Sequence, residues 1–534
     1  MNRLTGFFRE RPEFLLALCG AVLAFALRYG YFRSYPYPLM LHEQDGIAYM
    51  SIARDLLALK KPGNLFMPPF YPLVIAVFSV LPVKFEVAAR LASMVMDSLV
   101  VLPLYGLARI VLPRGAALTV SILWASFAFS LFFAPSPLSQ STYLCMLLTA
   151  TWLLYRALSE GGRRWQFALA GACFACAYLT RPEAFVSIAI ALCITAAGAL
   201  RTGADRRAHL VGGGLLLGAF LLASFPYLLL LREQSGHWTF TAKTVVAIKG
   251  IDGSLTLGAK TAKSGLALWL DEFGGFSGGM RFIWANFTAF FALLRKSFFP
   301  WTGYVAMIGF PAIFIGRNPF NRLFFLVPLL VTVPVYVANL PKNHSYIYPL
   351  FPVYMLAFVA GAWVLLGLVR RGIAGLWREM PRHVAEAGAT TLLMVPVLYL
   401  AVTSCREATA NYTSPEYLFQ VEQTTKVFKA AGDDIRVLSN PDDKLMTRWG
   451  LVSYFAERPL LILPKGGIEE VLDAGRKAGA RYLLIDTESV TSRRQELMDL
   501  LGPLEGRGVD PRYGIQVVGT RMTDLGGYVI YRYL

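Results

Sequence analysis

Charged residues are scarce in this chain of 534 residues, where Asp, Glu, Lys and Arg together make up 16% and hydrophobic residues 56%. Ordinary soluble domains have about 25% charged and about 45–50% apolar residues. A water-soluble enzyme is therefore excluded, and so is intrinsic disorder, which needs low hydrophobicity and high charge. Cysteine is also rare, with six in the whole chain, and this excludes a disulfide scaffold.

Long, unbroken apolar runs are what the sequence has instead, and its mean hydropathy is +0.50. Such runs are typical of membrane-spanning helices and differ from the alternating pattern of a membrane β-barrel. The sequence therefore predicts a polytopic α-helical membrane protein. The first run, 13–32, has no small-residue cleavage site at its end, so we expect it to remain as a span rather than to be removed as a signal peptide.

The ionisable residues are mostly basic, with 51 Lys and Arg against 34 Asp and Glu and a formal net charge of +17. In a membrane protein this excess is expected from the cationic cytoplasmic loops of the positive-inside rule. It also suits an anionic lipid or a phosphate ligand. A nucleic-acid partner is not indicated, because no basic stripe with interleaved aromatic residues occurs on a polar segment.

Eleven apolar runs are long enough to span a bilayer: 13–32, 87–112, 116–134, 138–158, 166–180, 183–200, 209–231, 300–316, 323–339, 345–369 and 386–404. An inside N-terminus then places the arginine-rich connections in the cytoplasm, among them Arg163–Arg164 and Arg206–Arg207. The run Phe70–Leu81 is left out because about twelve residues make only ~18 Å of helix against a hydrocarbon core of ~30 Å. We interpret it as a juxtamembrane or re-entrant helix in a large first outer loop, 33–86.

Two polar regions lie outside the membrane in this topology. Residues 1–404 form the predicted transmembrane domain, whose second outer loop, 232–299, has an amphipathic, aromatic-rich second half. Residues 405–534 have ordinary polarity and predict a small α/β extracytoplasmic domain. Its predicted elements are strands at Ile435–Leu438, Leu460–Leu463, Tyr482–Ile485 and Tyr528–Tyr531, and a helix at Gly467–Ala478.

The first outer loop has the richest cluster of polar residues, which are His42, Glu43, Asp45 and Tyr49. A carboxylate that faces water at the start of a helix suits a general base or a cation ligand. Asp45 fits a helix N-cap among solvated acids equally well. The helix that follows has an apolar face of Tyr49, Ile52, Ala53 and Leu56, through which it can lie on the bilayer surface.

Three stretches of the chain carry a resemblance to a known family. Asp45 and Tyr49 form a D-x-x-x-Y pattern, which is followed by P-P-x-Y-P at 68–72 and by Arg90 in the next span. Gly171–Glu183 and Lys342–Pro352 are two further matching motifs. In this order they resemble GT-C glycosyltransferases, in particular the bacterial branch of the protein O-mannosyltransferase and aminoarabinose transferase superfamily, over about residues 10–370.

The resemblance implies a GT-C-type membrane fold with outer-face juxtamembrane helices, and an enzyme that uses a polyprenyl-phosphate sugar. In that family an outer-loop carboxylate activates the acceptor; Asp45 corresponds to it here, with Glu43 beside it. A sugar phosphate already has a good leaving group, so the site needs a base at the acceptor and cations at the departing phosphate. A single displacement of this kind inverts the anomeric centre. Candidate acceptor- and sugar-binding residues are His42, Tyr49, Gln140 and Tyr346.

Four cationic residues are candidates for binding the donor phosphate: Arg90, Arg181, Lys342 and His344. Arg181 follows a short span of about 22 Å, which favours a position below the membrane surface, where ionisable groups are usually functional. An ion pair of Arg181 with Glu183 that locks a helix corner explains the same residues. Arg90 also fits a side chain that snorkels from the end of its span, and Lys342 and His344 fit ordinary loop solvation.

One position departs from the family pattern. Relatives commonly have a second acid after the third span, where this chain has Gln140. A neutral amide is a poor base and a poor ligand for a divalent metal, so no cofactor is expected to be required and a metal, although possible, is not indicated. Asp97, inside the second span, is expected to pair or hydrogen-bond within the helix bundle.

The sequence thus predicts a sugar transferase of a bacterial inner membrane, with its site and its C-terminal domain on the periplasmic side. The acceptor is an envelope glycan, lipid A, another lipid or a protein. Two alternatives remain: transfer from a lipid-pyrophosphate carrier, as in oligosaccharyltransferases, and a non-enzymatic lipid or solute transporter. A transporter is disfavoured because we find no internal repeat and the ionisable residues gather at the outer face.

Overall fold

The structure is a computed structural model of the chain. It describes residues 12–34, 44–62, 65–158, 163–200, 206–242, 270, 273–297, 300–315, 320–338, 347–372, scattered positions between 384 and 406, 415–464, 466–524 and 526–534. These residues form two compact units. The first unit contains the described residues of 1–34, 52–250 and 261–410, and the second contains those of 35–51, 251–260 and 411–534.

The described elements of the first unit are all helices. In chain order they are α1 Pro12–Ser34, α2 Gln44–Leu57, α3 Phe70–Phe78, α4 Phe85–Leu99, α5 Val101–Val111, α6 Arg114–Ser126, α7 Ala128–Phe133, α8 Gln140–Ala157, α9 Arg164–Tyr178, α10 Ala184–Ala199, α11 Arg206–Ser235, α12 Phe276–Ser297, α13 Pro300–Phe314, α14 Val327–Ala338 and α15 Phe351–Gly372. Two 3-10 helices, Asn321–Leu326 and Tyr348–Leu350, precede α14 and α15. The first eight residues of α2 belong to the second unit.

Within the described part of the chain, four helices are long and apolar enough to cross a bilayer. They are Leu15–Ser34, Phe85–Val111, Arg206–Glu233 and Tyr348–Leu368, with mean hydropathy between 1.7 and 2.2. Shorter apolar helices are found at Ala184–Ala199, Thr302–Phe314 and Arg322–Val333. The prediction of a helical membrane protein is therefore confirmed.

Most predicted spans coincide with helices to within a few residues; 138–158, for example, corresponds to α8. The short segment predicted at Phe70–Leu81 is the nine-residue helix α3. The run predicted as one span at 116–134 is not one continuous helix, because Phe127 has extended backbone angles (φ −68°, ψ 126°) between α6 and α7. An apolar sequence contains no signal for this break, since every residue around it suits a membrane helix.

A buried ion pair lies beside this break. Asp97 of α4 accepts hydrogen bonds at Oδ2 from Arg28 Nε at 2.7 Å and from Ser130 Oγ at 2.6 Å. Its Oδ1 accepts from the hydroxyl of Tyr348. The expectation that Asp97 pairs inside the bundle is confirmed.

Arg28 also satisfies the end of the broken helix. Its guanidinium donates to the backbone oxygens of Trp124 at 3.3 Å and Ala125 at 3.2 Å, which are among the last carbonyls of α6 and lack the full set of helical donors. Arg28 therefore lies inside the bundle, although it is near the end of the apolar run 13–32.

Glycines allow α13 and α15 to touch. A Cβ added to Gly309 would collide with the backbone oxygen of Ala357, and a Cβ on Gly361 would collide with that of Val305. Close backbone approach at small residues is how membrane helices associate in the absence of a hydrophobic driving force. The same device is present where Gly171 of α9 meets the backbone of Leu216 in α11.

The second unit is built on a five-stranded sheet with the order β2-β1-β3-β5-β4. Strand β1 is parallel to β2 and β3, whereas β5 is antiparallel to β3 and β4. Its elements are α16 Pro415–Leu438, β1 Lys444–Thr447, α17 Gly450–Ala456, β2 Leu460–Ile462, α18 Ile468–Ala478, β3 Ala480–Asp486, α19 Thr487–Arg493, a 3-10 helix Gln495–Glu505, β4 Ile515–Thr523 and β5 Gly526–Tyr533.

Three of the four strands predicted in this region are confirmed as β2, β3 and β5, and the predicted helix is confirmed as α18. The strand predicted at Ile435–Leu438 is wrong, because these residues form the last turn of α16. Ile435 is fully buried and Val437 is 86% exposed. Residues two apart would share one face of a strand but point apart on a helix, so the burial pattern agrees with the helix.

The apolar face of α2 is covered by protein. Tyr49, Ile52 and Ala53 are all buried. The expectation that this face lies on the bilayer surface is therefore wrong for these residues. Short amphipathic helices have the same periodicity whether their apolar face meets lipid or protein, which is why the sequence does not distinguish the two cases.

Candidate active site

Arg90 is a buried residue of α4, with 3% of its surface exposed. Its Nε donates to Glu86 Oε1 at 3.0 Å, one turn earlier, and its Nη1 donates to the backbone oxygen of Pro135 at 3.0 Å. The alternative in which Arg90 snorkels towards water is therefore wrong. The guanidinium is held by α4 and by the segment that precedes α8.

Ser93 continues this connection one turn further along α4. Its Oγ is 2.6 Å from the hydroxyl of Tyr71, which belongs to the proline-rich motif, and donates to the backbone oxygen of Leu138 at 3.4 Å. The motif at 68–72 is thereby fixed to α4 and to the segment before α8.

Arg181 lies in the turn between α9 and α10 and forms an ion pair with Glu183. Its Nη2 and Nε donate to Glu183 Oε1 at 2.9 and 3.1 Å, and both side chains are largely buried. The guanidinium also lies 5.7 Å from the ring centre of Tyr143, a cation–π distance. The helix-corner ion pair is thus present. A guanidinium has five N–H donors, so this pairing does not by itself exclude a phosphate ligand.

The segment 135–143 joins the surroundings of the two arginines. Its Pro135 carbonyl contacts Arg90, and its Tyr143 ring contacts Arg181. Between them lies Gln140, the first residue of α8, whose Oε1 is buried and has no hydrogen-bond partner among the described residues. Leaving a buried acceptor unpaired costs about 1–3 kcal/mol, which a hydroxyl or amide of a ligand would recover.

An apolar cavity of about 200 Å³ lies in the same unit. Its walls are Ile52 and Leu56 of α2, Leu179 just after α9, a stretch of α11, and the four residues Pro62, Leu65, Met67 and Pro69. Two hydrogen bonds fix these walls: Phe70 N donates to Leu179 O at 2.8 Å, and the Tyr227 hydroxyl donates to Leu65 O at 3.0 Å. Leu179, which lines the cavity, is two residues before Arg181 in the chain.

Asp45 is exposed and lies in the first turn of α2. The helix already begins at Gln44, so Asp45 is inside the helix and its interpretation as the N-cap is wrong. A carboxylate in the first turn is stabilised by the helix dipole. Tyr49 follows one turn later and is 3% exposed.

Five predicted site residues lie outside the described residues. They are His42, Glu43, Lys342, His344 and Tyr346. Among the residues that the structure does describe, no group of three His, Cys, Asp or Glu side chains comes together to hold a metal ion. Independence of metal stays a prediction.

Some residues of the site escape sequence reasoning. The sequence analysis assigns no role to Glu86, Ser93 or Pro135, although they hold Arg90 and the segment 135–143 in place. Glu86 is recognisable in principle, since it lies four residues before Arg90 on one helix and such pairs attract. Ser93 and Pro135 have no comparable sequence signal, because their partners are 45 residues away.

The comparisons with known proteins bear on the fold. Residues 67–225 match the family profile described as dolichyl-phosphate-mannose-protein mannosyltransferase. No similarity to a curated protein sequence is detected. The profile match begins at the proline-rich motif and ends within α11, and it contains Arg90, Gln140 and Arg181.

Several solved structures are similar to this chain. ArnT from Cupriavidus metallidurans, bound to undecaprenyl phosphate, aligns over 97% of each chain with a TM-score of 0.60 and 14% identity. The oligosaccharyltransferase AglB from Archaeoglobus fulgidus aligns over 92% of this chain and 71% of its own, with a TM-score of 0.56 and 12% identity. The mycobacterial arabinofuranosyltransferase AftD aligns over 97% of this chain and 39% of its own, with a TM-score of 0.52 and 14% identity.

These findings confirm the resemblance inferred from the motifs: the chain has the membrane fold of GT-C glycosyltransferases. Identities of 12–14% establish the fold only. The activity and the roles of individual residues must be argued from the site itself.

Proposed function

We propose that this protein transfers a sugar from a polyprenyl-phosphate donor to an acceptor hydroxyl at the outer face of a bacterial inner membrane. The observation that carries the proposal is the arrangement around segment 135–143. Two largely buried arginines contact this segment, an unpaired amide oxygen lies between the contacts, and Leu179, two residues before Arg181, lines an apolar cavity. A lipid-linked sugar phosphate offers the matching groups: an apolar chain, an anion and hydroxyls.

The donor phosphate is bound, in this proposal, by Arg181 and Arg90 together with Lys342 and His344. Fixed positive charges in a site that excludes water stabilise the negative charge that develops on the departing phosphate. Glu86 and Glu183 hold the two guanidiniums in place. The unpaired oxygen of Gln140 accepts a hydrogen bond from a sugar hydroxyl, with His42, Tyr49 and Tyr346 as further contacts of sugar or acceptor.

Asp45 is the proposed general base, with Glu43 as its neighbour. It lies on the same continuous helix as Ile52, which lines the apolar cavity. Seven residues of α-helix correspond to about 10 Å along the axis. The carboxylate removes the proton from the acceptor hydroxyl as the hydroxyl oxygen attacks the anomeric carbon, the bond to phosphate breaks, and the configuration inverts. No step needs a metal ion.

The proposed topology retains eleven spans, with α3 at the outer surface and residues 405–534 as a periplasmic domain. The helices described here agree with the spans that they overlap, and arginines occupy the connections assigned to the cytoplasm. The acceptor is an envelope glycan, lipid A, another lipid or a protein, reached from the periplasm.

The test is an assay of the purified protein with a panel of polyprenyl-phosphate sugars and acceptor fractions. We expect transfer by the wild type, resistance of that activity to chelators, and a loss of at least about 100-fold in Asp45→Asn, since general bases contribute about 10²–10⁴-fold. Asp55→Asn, on the same helix, is the matched control and is expected to retain activity. Full activity of Asp45→Asn would exclude it as the base.

A lipid-pyrophosphate oligosaccharide donor is the alternative with the same fold, and AglB has that fold too. Supplying both donor types in one assay separates the two. A transporter would instead move labelled lipid across proteoliposomes without forming a glycoside product. The buried Asp97 does not favour transport, because its carboxylate is paired with Arg28 and hydrogen-bonded by Ser130 and Tyr348.

A further inference from the structure

The start of α2, which bears Asp45, groups with the α/β sheet. Residues 44–51 are in the same compact unit as 415–534. Asp45 is exposed in the first turn of this helix, and helix ends fray unless something holds them. The position of its carboxylate therefore depends on what the neighbouring residues of α2 contact.

Ile47 supplies that contact. It is two residues after Asp45 and 9% exposed. A Cβ built on Gly450 would lie 3.9 Å from both Cδ1 and Cγ2 of Ile47 and 3.7 Å from Cδ2 of Leu460. Both branches of the Ile47 side chain thus lie at van der Waals distance from the point where a side chain at Gly450 would begin, at the start of α17.

The backbone that receives Ile47 is itself firmly held. Trp449, the residue before Gly450, donates from Nε1 to Asp486 Oδ1 at 3.1 Å, and its ring lies 5.4 Å from that of Phe428. Asp486 in turn accepts from Ser489 N at 2.7 Å. Trp449 follows the carboxyl end of β1 and Asp486 is the last residue of the parallel strand β3, an edge at which α/β sheets usually bind ligands.

We propose that the α/β unit is a positioning element for the general base, and that Ile47 seated on Gly450 sets where the Asp45 carboxylate lies. The inference rests on the proposed role of Asp45. A misplacement of about 1 Å costs on the order of 100-fold in rate, so a contact two residues away controls turnover although it touches no substrate. Ile47 is a positioning residue, and the C-terminal unit acts through it.

The test is a size-compensation series in the full-length purified protein. Ile47→Ala removes the contact and Gly450→Leu overfills it, and each is expected to lower kcat about tenfold or more with little change in KM for the polyprenyl-phosphate sugar. The double variant Ile47→Ala/Gly450→Leu restores a filled contact and is expected to recover most of kcat. The pH dependence of kcat keeps its shape in all of them, because the base is displaced rather than changed.

The matched control is Ile468→Ala. Ile468 is also 9% exposed but lies in the hydrophobic core of the sheet, among Val471, Leu472 and Leu483. It is expected to lower the melting temperature as much as Ile47→Ala does, with kcat preserved at temperatures where the protein is folded. An equal loss of kcat in Ile468→Ala, or no recovery in the double variant, would show that the contact only stabilises the unit.

Asp45→Asn separates the proposed role of Asp45 as general base from the proposed role of Ile47 as positioning residue. If Asp45→Asn is inactive and Ile47→Ala is fully active, the base is correct and the positioning role is wrong. If Asp45→Asn is fully active, the proposed base fails and the positioning role fails with it.

Discussion

Arg28 and Asp97 show how a single buried pair joins parts of the chain that are distant in sequence. Asp97 contacts Arg28, 69 residues before it, and Tyr348, 251 residues after it. Both charged side chains are completely buried, and desolvation of each ion costs several kcal/mol that only the partner and the hydrogen bonds offset. The pair is therefore sensitive to the removal of either member.

We predict that Asp97→Asn lowers the free energy of unfolding by about 3–5 kcal/mol, because it leaves the Arg28 guanidinium buried without a counter-charge. The double variant Arg28→Met/Asp97→Leu should regain much of that loss. Thermal unfolding of the detergent-purified protein measures both. Arg33→Met, at an exposed residue of α1, the helix that bears Arg28, is the control. A wild-type melting temperature for Asp97→Asn would contradict the prediction.

Asp486 gives a prediction of pH dependence. Burial raises the pKa of its carboxyl above the usual value, although hydrogen bonds from Ser489 and Trp449 oppose the rise. The charged form is thus disfavoured in the folded state relative to the unfolded state, where the pKa is about 3.9. The resulting loss of stability is complete above the folded-state pKa and disappears as the pH falls through that pKa towards ~3.9.

Asp486→Asn should therefore change how stability varies with pH. Compared with the variant, the wild type gains stability on acidification through the folded-state pKa, so the melting temperature of the wild type minus that of the variant rises as the pH falls. Melting curves of the full-length protein between about pH 4 and pH 8 test this. Asp442→Asn, at an exposed acid, should show a difference from the wild type that does not change in that way.

At the scale of residues, sequence reasoning could find the chemical types but not their partners. Asp97 was predictable as a paired group, since an unpaired carboxylate inside a span is too costly. Its partner was not, because Arg28 lies at the end of an apolar run where arginines usually reach water. The carbonyl oxygens that Arg28 contacts are free to accept its hydrogen bonds because α6 ends at Ser126 and leaves them without the full set of helical donors.

At the scale of elements, helices follow directly from apolar runs, and even the short α3 was predictable from its length. Two strands, β4 and β1, were not predicted. β4 has Arg521 and other exposed residues along an edge of the sheet, so it lacks the apolar alternation that identifies a strand. β1 has only four residues, too few to show a period.

The crossing of α13 and α15 gives a prediction for helix packing. Gly361→Ala adds a methyl group where the backbone oxygen of Val305 lies, and overpacking of this kind typically costs about 1–3 kcal/mol. Gly367→Ala, two turns later on α15, meets nothing within 4 Å and is the matched control. Alanine favours a helix over glycine by up to ~1 kcal/mol, so Gly367→Ala should leave the melting temperature unchanged or raise it. An unchanged melting temperature for Gly361→Ala would contradict the prediction and show that the two helices separate freely.

At the scale of the whole molecule, the net charge of +17 separates into two sets. Arginines in the connections assigned to the cytoplasm account for much of it and reflect topology. Arg90 and Arg181 are different, since both are largely buried and paired with glutamates. Composition alone does not distinguish the two sets of arginines. The burial and the ion pairs of each arginine distinguish them.

The topology depends on whether α3 crosses the membrane. Its nine residues span about 14 Å, less than half of a core of ~30 Å. If α3 crossed, every later connection would change sides and the arginine-rich loops would face outwards, against the positive-inside rule.

We therefore predict that a cysteine at the partly exposed Asp510 reacts with a membrane-impermeant maleimide in intact bacterial cells, whereas one at the exposed Arg114 reacts only after permeabilisation. The cysteines are introduced into a cysteine-free variant whose transfer activity is first confirmed. Labelling of Arg114→Cys in intact cells, with Asp510→Cys protected, would reverse the orientation and place the α/β unit in the cytoplasm, where a periplasmic acceptor cannot reach Asp45.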